Sequence, residues 1–487
     1  MNLRPARVVL TCVIAGVALA QPAPLRERIA ARLRPNDLKA DVSFLASDAL
    51  EGRGTPSRGL DLAAEYIAAQ FRRAGIEPAG DDGYFQTGTF LQTTPSVNGS
   101  QFTLGGVTAA KASVGVQEAV AASLNAVPAI KISLEDPGAF EALTAAQVKG
   151  KVLIVDAVRA GQSAFQAQRR MQAAFAKLEP ALVVWVRPGG QGGRPGRVPL
   201  RDATLPPSKI PVLTVSDPAI VEAVSAAEPG PMEATVSARI PAPKIETVRL
   251  HNVAGVIRGS DPALKDTYLV VTAHYDHLGI NPNIEGDRIF NGANDDASGT
   301  ASVIEIAGAL AALEEKPKRT IVFLCVFGEE VGGLGARWYT SHPIFPLAKT
   351  VADINLEQLG RTDDSDGPKP LQFNLTGFDY TDVAPVFAKA GGETGIQVIK
   401  HEKNSDAFFT RSDNATFADA GIPSTTLSVS YIFPDYHRAG DEWPKLDYDN
   451  MAKVDLAVAL GIWDLANSAR QPQWNKDNPK VTRYLRP

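Results

Sequence analysis

Tyr268-Leu-Val-Val-Thr-Ala-His274 and Thr320-Ile-Val-Phe-Leu-Cys-Val-Phe-Gly-Glu-Glu330 are the stretches on which the fold turns. Both are short apolar runs rich in β-branched and bulky residues, too short for long helices, and each ends in side chains that ionise. Such runs read as buried strands handing over to loops. Open α/β sheets place their ligands beyond the carboxyl ends of strands, so His274, Glu329 and Glu330 stand where a site is expected. Glu357 closes a third such run, Ile354-Asn-Leu-Glu357, and Asp435-Tyr436-His437 follows a fourth.

Working outward, the segment from Pro243 onward alternates apolar strands with Ala-rich helices. One helix is expected from Ala301 to Leu313, with Val303, Ile306, Leu310 and Leu313 on one face, and another from about Asp449 to Ser468. Upstream, Leu60, Ala64, Ile67 and Phe71 recur at helical spacing between Ser57 and Gly75, a helix stopped by glycine. From Val97 to Pro243 the texture changes to short β-type runs split by Gly/Pro-rich stretches, among them Lys151-Val-Leu-Ile-Val-Asp156 and Ala181-Leu-Val-Val-Trp-Val186. The expected organisation is a signal segment at 1–20, a first part of the main domain at 21–96, a β-rich insert at 97–243, a second part at 244–470, and a loosely held polar tail at 471–487.

Composition narrows the function. The chain has 487 residues, too many for one ordinary core. With Lys+Arg 49 against Asp+Glu 54, a net charge of -5 and no basic block, nucleic acid is not an expected partner. Met1-Asn-Leu-Arg4-Pro-Ala-Arg7, the apolar run Val8 to Leu19 and Ala18-Leu-Ala20 form a secretory signal pattern. The expectation is an exported protein, periplasmic or secreted, with no stable membrane anchor after cleavage. Cleavage removes Cys12 and leaves Cys325 without an intramolecular disulfide partner.

The chemistry lies in the strand ends. His274-Tyr-Asp276 offers a metal-binding imidazole with Asp276 to orient it, although alone the pattern also reads as a surface histidine beside an acid. In Asn291-Gly-Ala-Asn-Asp295-Asp296-Ala-Ser-Gly299, small residues let the backbone approach an ion, and Asp295 has two oxygens with which to bridge two cations. Asp296 and Ser298 also suit an ordinary helix N-cap. Glu329-Glu330 places two repelling carboxylates side by side, which calls for nearby cations; an exposed acidic loop is the plainer alternative. The donors are nitrogen and oxygen without thiolate, a set that suits zinc, with manganese or cobalt as substitutes. His277 reads as a supporting or packing residue, and His251, His342 and His401 as surface or structural ones.

Phe44-Leu-Ala-Ser-Asp-Ala-Leu-Glu-Gly-Arg-Gly54, Asn252-Val-Ala-Gly-Val-Ile-Arg-Gly-Ser-Asp261, Ala273-His-Tyr-Asp-His-Leu-Gly279 and Gly292-Ala-Asn-Asp-Asp-Ala-Ser-Gly299 together resemble the secreted zinc aminopeptidases, whose relatives include glutamate carboxypeptidase and the transferrin receptor ectodomain. The resemblance implies a three-layer α/β/α zinc peptidase with a mixed central sheet, two Zn2+ per chain and peptide substrates. It implies Asp295 bridging both ions, His274 and Glu357 on one, Glu330 and His437 on the other, and Glu329 as general base. Many relatives carry Asp where Glu357 stands, and His where Asn414 follows Ser412-Asp413. A cis peptide is implied at Asp295-Asp296. Tyr436 matches a position whose hydroxyl supports an oxyanion, although a packed aromatic is an equal reading; Arg411 matches a residue near the substrate end of the pocket, or is an ordinary ion-pair residue. Val148-Lys-Gly-Lys-Val-Leu-Ile-Val155 resembles the protease-associated domain. Aminopeptidase is the leading expectation; a carboxypeptidase or glutaminyl cyclase of the same fold, and a receptor-like binding protein that lost its metals, are the alternatives.

Overall fold

In the computed structural model, residues 23–96, 99–158, 171, 174–189 and 199–485 are described. The signal segment expected at 1–20 lies outside them.

The apolar runs are strands of one mixed sheet. Its order is Gln397–Ile399, Gln372–Leu375, Ser424–Ser428, Thr350–Leu356, Tyr268–His274, Thr320–Val326, Lys244–Ile257, Phe85–Thr94 and Leu200–Asp202, with Glu77–Pro78 also paired to Lys244–Ile257. The four strands from Ser424–Ser428 to Thr320–Val326 are mutually parallel, so their carboxyl ends share one edge. Every residue of Tyr268–His274 is buried, and alternation divides them between two cores. Leu269, Val271 and Ala273 join the core under the helices Arg58–Arg73, Ser298–Ala311 and Tyr448–Asn467. Tyr268 and Val270 face the opposite core, with Ala336 and Tyr339 of Leu334–Ser341 and Phe417 of Asn414–Asp419. Helices therefore cover both faces, and the α/β/α architecture with a mixed sheet is as expected.

Local chemistry sets the helix ends. Ser57 accepts the Leu60 N–H at 3.1 Å, and Gly75 takes the left-handed φ of 72° just past the last turn, the cap pair that the sequence carries.

Residues of the insert form a second, eight-stranded sheet between Gln101 and Ile240. Val152 and Ile154 point into one of its cores, Leu153 and Val155 into the other. One piece departs from this separation: Leu200–Asp202 pairs with Phe85–Thr94 of the main sheet, where Leu200 packs on the main core. The tail differs from expectation as well. Trp474, Val481 and Tyr484 bury against Tyr380 and Phe409, and Pro479–Tyr484 forms a turn of 3-10 helix. The few apolar residues in a polar stretch are enough to dock it.

Candidate metal centre

The parallel strands deliver His274 at the end of Tyr268–His274 and Glu357 one residue past Thr350–Leu356; Glu329 and Glu330 follow Thr320–Val326, and His437 lies beyond Ser424–Ser428. Asp295 comes from the turn before the helix Ser298–Ala311, and its peptide to Asp296 is cis.

Asp295 occupies the middle. Its Oδ1 lies 3.3 Å from His274 Nε2, and its Oδ2 lies 3.0 Å from His437 Nε2 and 3.9 Å from His277 Nδ1. Glu330 Oε1 is 3.2 Å from His437 Nε2 and 3.0 Å from His277 Nδ1. Two donor groups result, one of His274, Asp295 and Glu357 and one of His277, Asp295 and Glu330, each with ligand atoms within 4.8 Å of one another. The five side chains expected as ligands thus converge. His277 was read as a supporting or packing residue, yet its ring nitrogen joins the second group. Its three-residue spacing from His274 was the available signal, but only the turn after the strand, which a sequence does not display, decides where the second ring points.

Asp276, expected to orient His274, meets its Nδ1 with both backbone and side chain. His274 Nδ1 is nearest the Asp276 backbone carbonyl, at 3.2 Å, and 3.5 Å from the carboxylate. The carboxylate also accepts the Glu329 N–H at 3.0 Å and the Thr55 hydroxyl at 3.1 Å, tying the strand end of Glu329 to that of His274. Glu329 and Glu357 are half-buried. Tyr436 stacks on the His437 ring, with centroids 3.9 Å apart, and lines a cavity with Glu357, Phe408, Arg411 and Tyr431. Arg411 is exposed, its guanidinium 4.3 Å from the Phe408 ring centroid.

The loop carrying Asp295 is pinned from several sides. Asp441 accepts the N–H groups of Asn294 at 2.9 Å and Asp295 at 3.0 Å. Arg53, wholly buried, donates to the carbonyls of Asn291 at 2.6 Å, Gly292 at 2.9 Å and Tyr275 at 2.7 Å. Its guanidinium thereby joins the Asp295 loop to the His274 turn. Burial pulls the Arg53 pKa down to about 10, while Asp276 and Asp441 oppose the shift. Gly292 has a φ of 58°, and a Cβ there would collide with the Asp295 carbonyl and the His277 ring. Asp296 accepts the N–H groups of Gly299 at 2.9 Å and Gln358 at 3.1 Å, so the helix cap also fixes the residue after Glu357.

The electrostatics separate the acids. Burial and the Glu330 charge push Asp295 up, but His274 and His437 outweigh them and hold it below the usual range. Glu330 is likewise held low against burial by His277 and His437. Glu329, with no imidazole in contact, is driven well above the usual range by burial; His274 opposes this and the Glu330 charge adds to it.

A cation fits here. Neither ring nitrogen of His277 is aligned for a hydrogen bond, nor is Asp295 Oδ2, although all are buried. Buried polar atoms without alignment are costly, and a shared ion relieves several at once. Nitrogen and carboxylate donors without a thiol suit zinc.

The class defined by this fold and site is an α/β/α protein with two candidate cation-binding donor groups, sharing Asp295, at the carboxyl edge of its sheet. Residues 252–461 match the sequence profile of Peptidase family M28. A probable zinc metalloprotease of Pyrenophora tritici-repentis is 30% identical over 265 residues, covering 46% of this chain and 59% of that protein. Aminopeptidase YwaD of Bacillus subtilis is 24% identical over 217 residues, 43% of this chain and 44% of that one. The chain spans about half the length of the curated relatives it matches. Among solved structures, an aminopeptidase from Aneurinibacillus sp. strain AM-1 superposes with a TM-score of 0.60 at 18% identity, covering 90% of this chain and 95% of that one. A zinc aminopeptidase of Bacillus subtilis gives 0.53 at 17% identity, over 93% and 98%. Both share the fold.

Proposed function

We propose that this chain is an exported zinc-dependent aminopeptidase that removes N-terminal residues from peptides. The observation that carries the reading is the position of Asp295, whose two oxygens face two different donor groups. The match of residues 252–461 to Peptidase family M28 and the similarity to an aminopeptidase of Bacillus subtilis support the substrate class. His274, Asp295 and Glu357 would hold one zinc, and Asp295, Glu330 and His437 the other. A bound pair supplies Lewis-acid polarisation of the scissile carbonyl and a lowered pKa for water.

The chain's own residues do the rest. Glu329 takes a proton from the attacking water and delivers it to the leaving amine. Tyr436 presents its hydroxyl to the oxyanion. Glu357 and Glu329 offer negative charge to a free amino terminus, and Arg411 borders the cavity that receives the substrate. The insert acts as a protease-associated module framing the entrance. The signal pattern supports export, and no helix among the described residues is long and apolar enough to cross a membrane.

Substrate profiling with aminoacyl, N-blocked and carboxyl-terminal peptides, with and without chelator, tests the reading. Chelator-sensitive release from unblocked amino termini is expected. Cleavage only at carboxyl termini would indicate a carboxypeptidase, cyclisation of N-terminal glutamine a glutaminyl cyclase, and no turnover with retained peptide binding a receptor.

A further inference from the structure

Resting on that reading, we infer that His277 is itself a metal ligand through Nδ1, so that the two sites are unlike: four protein donors around one ion, three around the other. Bonds of about 2.0–2.2 Å to nitrogen and oxygen in a tetrahedral zinc site place neighbouring ligand atoms about 3.3–3.6 Å apart. Around the Glu330 side the separations are 3.0 Å for His277–Glu330, 3.2 Å for His437–Glu330, 3.0 Å for His437–Asp295 and 3.9 Å for His277–Asp295. They bracket that edge length, and the His277 and His437 nitrogens both lie beside the same Asp295 and Glu330 oxygens. On the other side, among the described residues, His274 and Asp295, 3.3 Å apart, and Glu357 converge.

Alignment points the same way. A histidine that merely steadied Glu330 would aim its N–H along the line to the carboxylate oxygen. His277 Nδ1 is 3.0 Å from Glu330 Oε1, yet it is not in hydrogen-bond alignment with it. Two ligands of one ion both aim at a spot between them rather than at each other. The residue is also held: His277 is 1% exposed, its backbone N–H donates to the Arg53 carbonyl at 3.2 Å, and Gly292 leaves room for the ring where no side chain would. Coordination through Nδ1 leaves the proton on Nε2.

The functional consequence is a division of labour. A site closed by four protein donors serves to hold its ion, whereas a three-donor site keeps a position open. The open position therefore belongs to the His274, Asp295 and Glu357 side, the side on which Tyr436 and Arg411 share a cavity with Glu357.

Loading the full chain with two equivalents of cobalt(II) and counting the solvent-exchangeable, hyperfine-shifted imidazole N–H resonances by proton NMR tests this directly. Three signals are expected, for His274, His277 and His437; two signals with two ions bound would overturn the inference while leaving the proposed function intact. His277→Gln should remove one signal and weaken one class of site by about 10–100-fold. A supporting role would also cost affinity but would leave the wild-type count at two, so the wild-type spectrum decides even if the variant fails to fold. A chain that takes up neither cobalt nor zinc would overturn the functional reading and this inference together.

Discussion

Glu329 and Glu330 are adjacent in sequence and opposite in circumstance. The Glu330 carboxylate meets two imidazoles, whereas Glu329 meets none and has its backbone N–H fixed by Asp276. That asymmetry predicts that Glu329→Gln keeps both metals yet loses turnover by about 10²–10⁴-fold, the usual weight of a positioned general base. Steady-state kcat together with elemental analysis of the purified variant checks it; near-normal turnover would remove Glu329 from the reaction. Arg53 makes a different case. Its fork reaches three carbonyls on two ligand-bearing loops, a geometry that lysine does not reproduce although it keeps the charge. Arg53→Lys should therefore weaken metal binding by about 10–100-fold, measured by competition with a chelating dye, and unchanged affinity would show that the charge alone suffices.

At the scale of elements, the long helix Tyr448–Asn467 carries a liability. Asp455 is wholly buried in it and faces Ser302 of the helix Ser298–Ala311; burial raises its pKa from 3.8 to about 8, with Ser302 opposing. The folded state then binds this proton more tightly than the unfolded chain. Its contribution is fully present below the ordinary aspartate range and is lost progressively as pH rises from there to about 8. Asp455→Asn, which cannot ionise, should match the wild type near pH 4 and exceed it by about 2–6 °C in Tm near pH 8. Melting curves across that range check it, and a pH-independent difference would mean that the change acts through packing. This helix was legible in the sequence from Asp449 to Ser468, as was the one between Ser57 and Gly75, because apolar spacing and caps are local signals. The carbonyl grip of Arg53 was not, since it depends on contacts between segments more than 200 residues apart, as Arg53 and Tyr275 are. The tail from Gln471 was misjudged because mean polarity hides the single Trp474, Val481 and Tyr484 that dock it.

For the whole molecule, the insert leaves and re-enters the main domain at one place. Phe85–Thr94 and Lys244–Ile257 are antiparallel neighbours in which Thr94 lies opposite Lys244, so the chain on either side of the insert already forms the two arms of a hairpin. The return of Leu200–Asp202 to the main sheet was invisible in the sequence, because three half-buried residues carry no periodicity. The ligand strands lie deeper in the sheet, on the far side of Lys244–Ile257. Replacing 95–243 with a two-residue Asn-Gly turn, which suits such a hairpin, should therefore yield a folded core with the metal stoichiometry of the full chain. Its Tm should be lower, because Phe90, Leu91 and Gln92 lose their pairing with Leu200–Asp202 and the main core loses Leu200. If the insert frames the entrance, the same core should cleave short aminoacyl substrates at an unchanged rate and discriminate less against long peptides. Rates for a series of peptides of increasing length, compared between core and full chain, provide the measurement. Loss of metal in a folded core would show instead that the insert supports the centre from a distance.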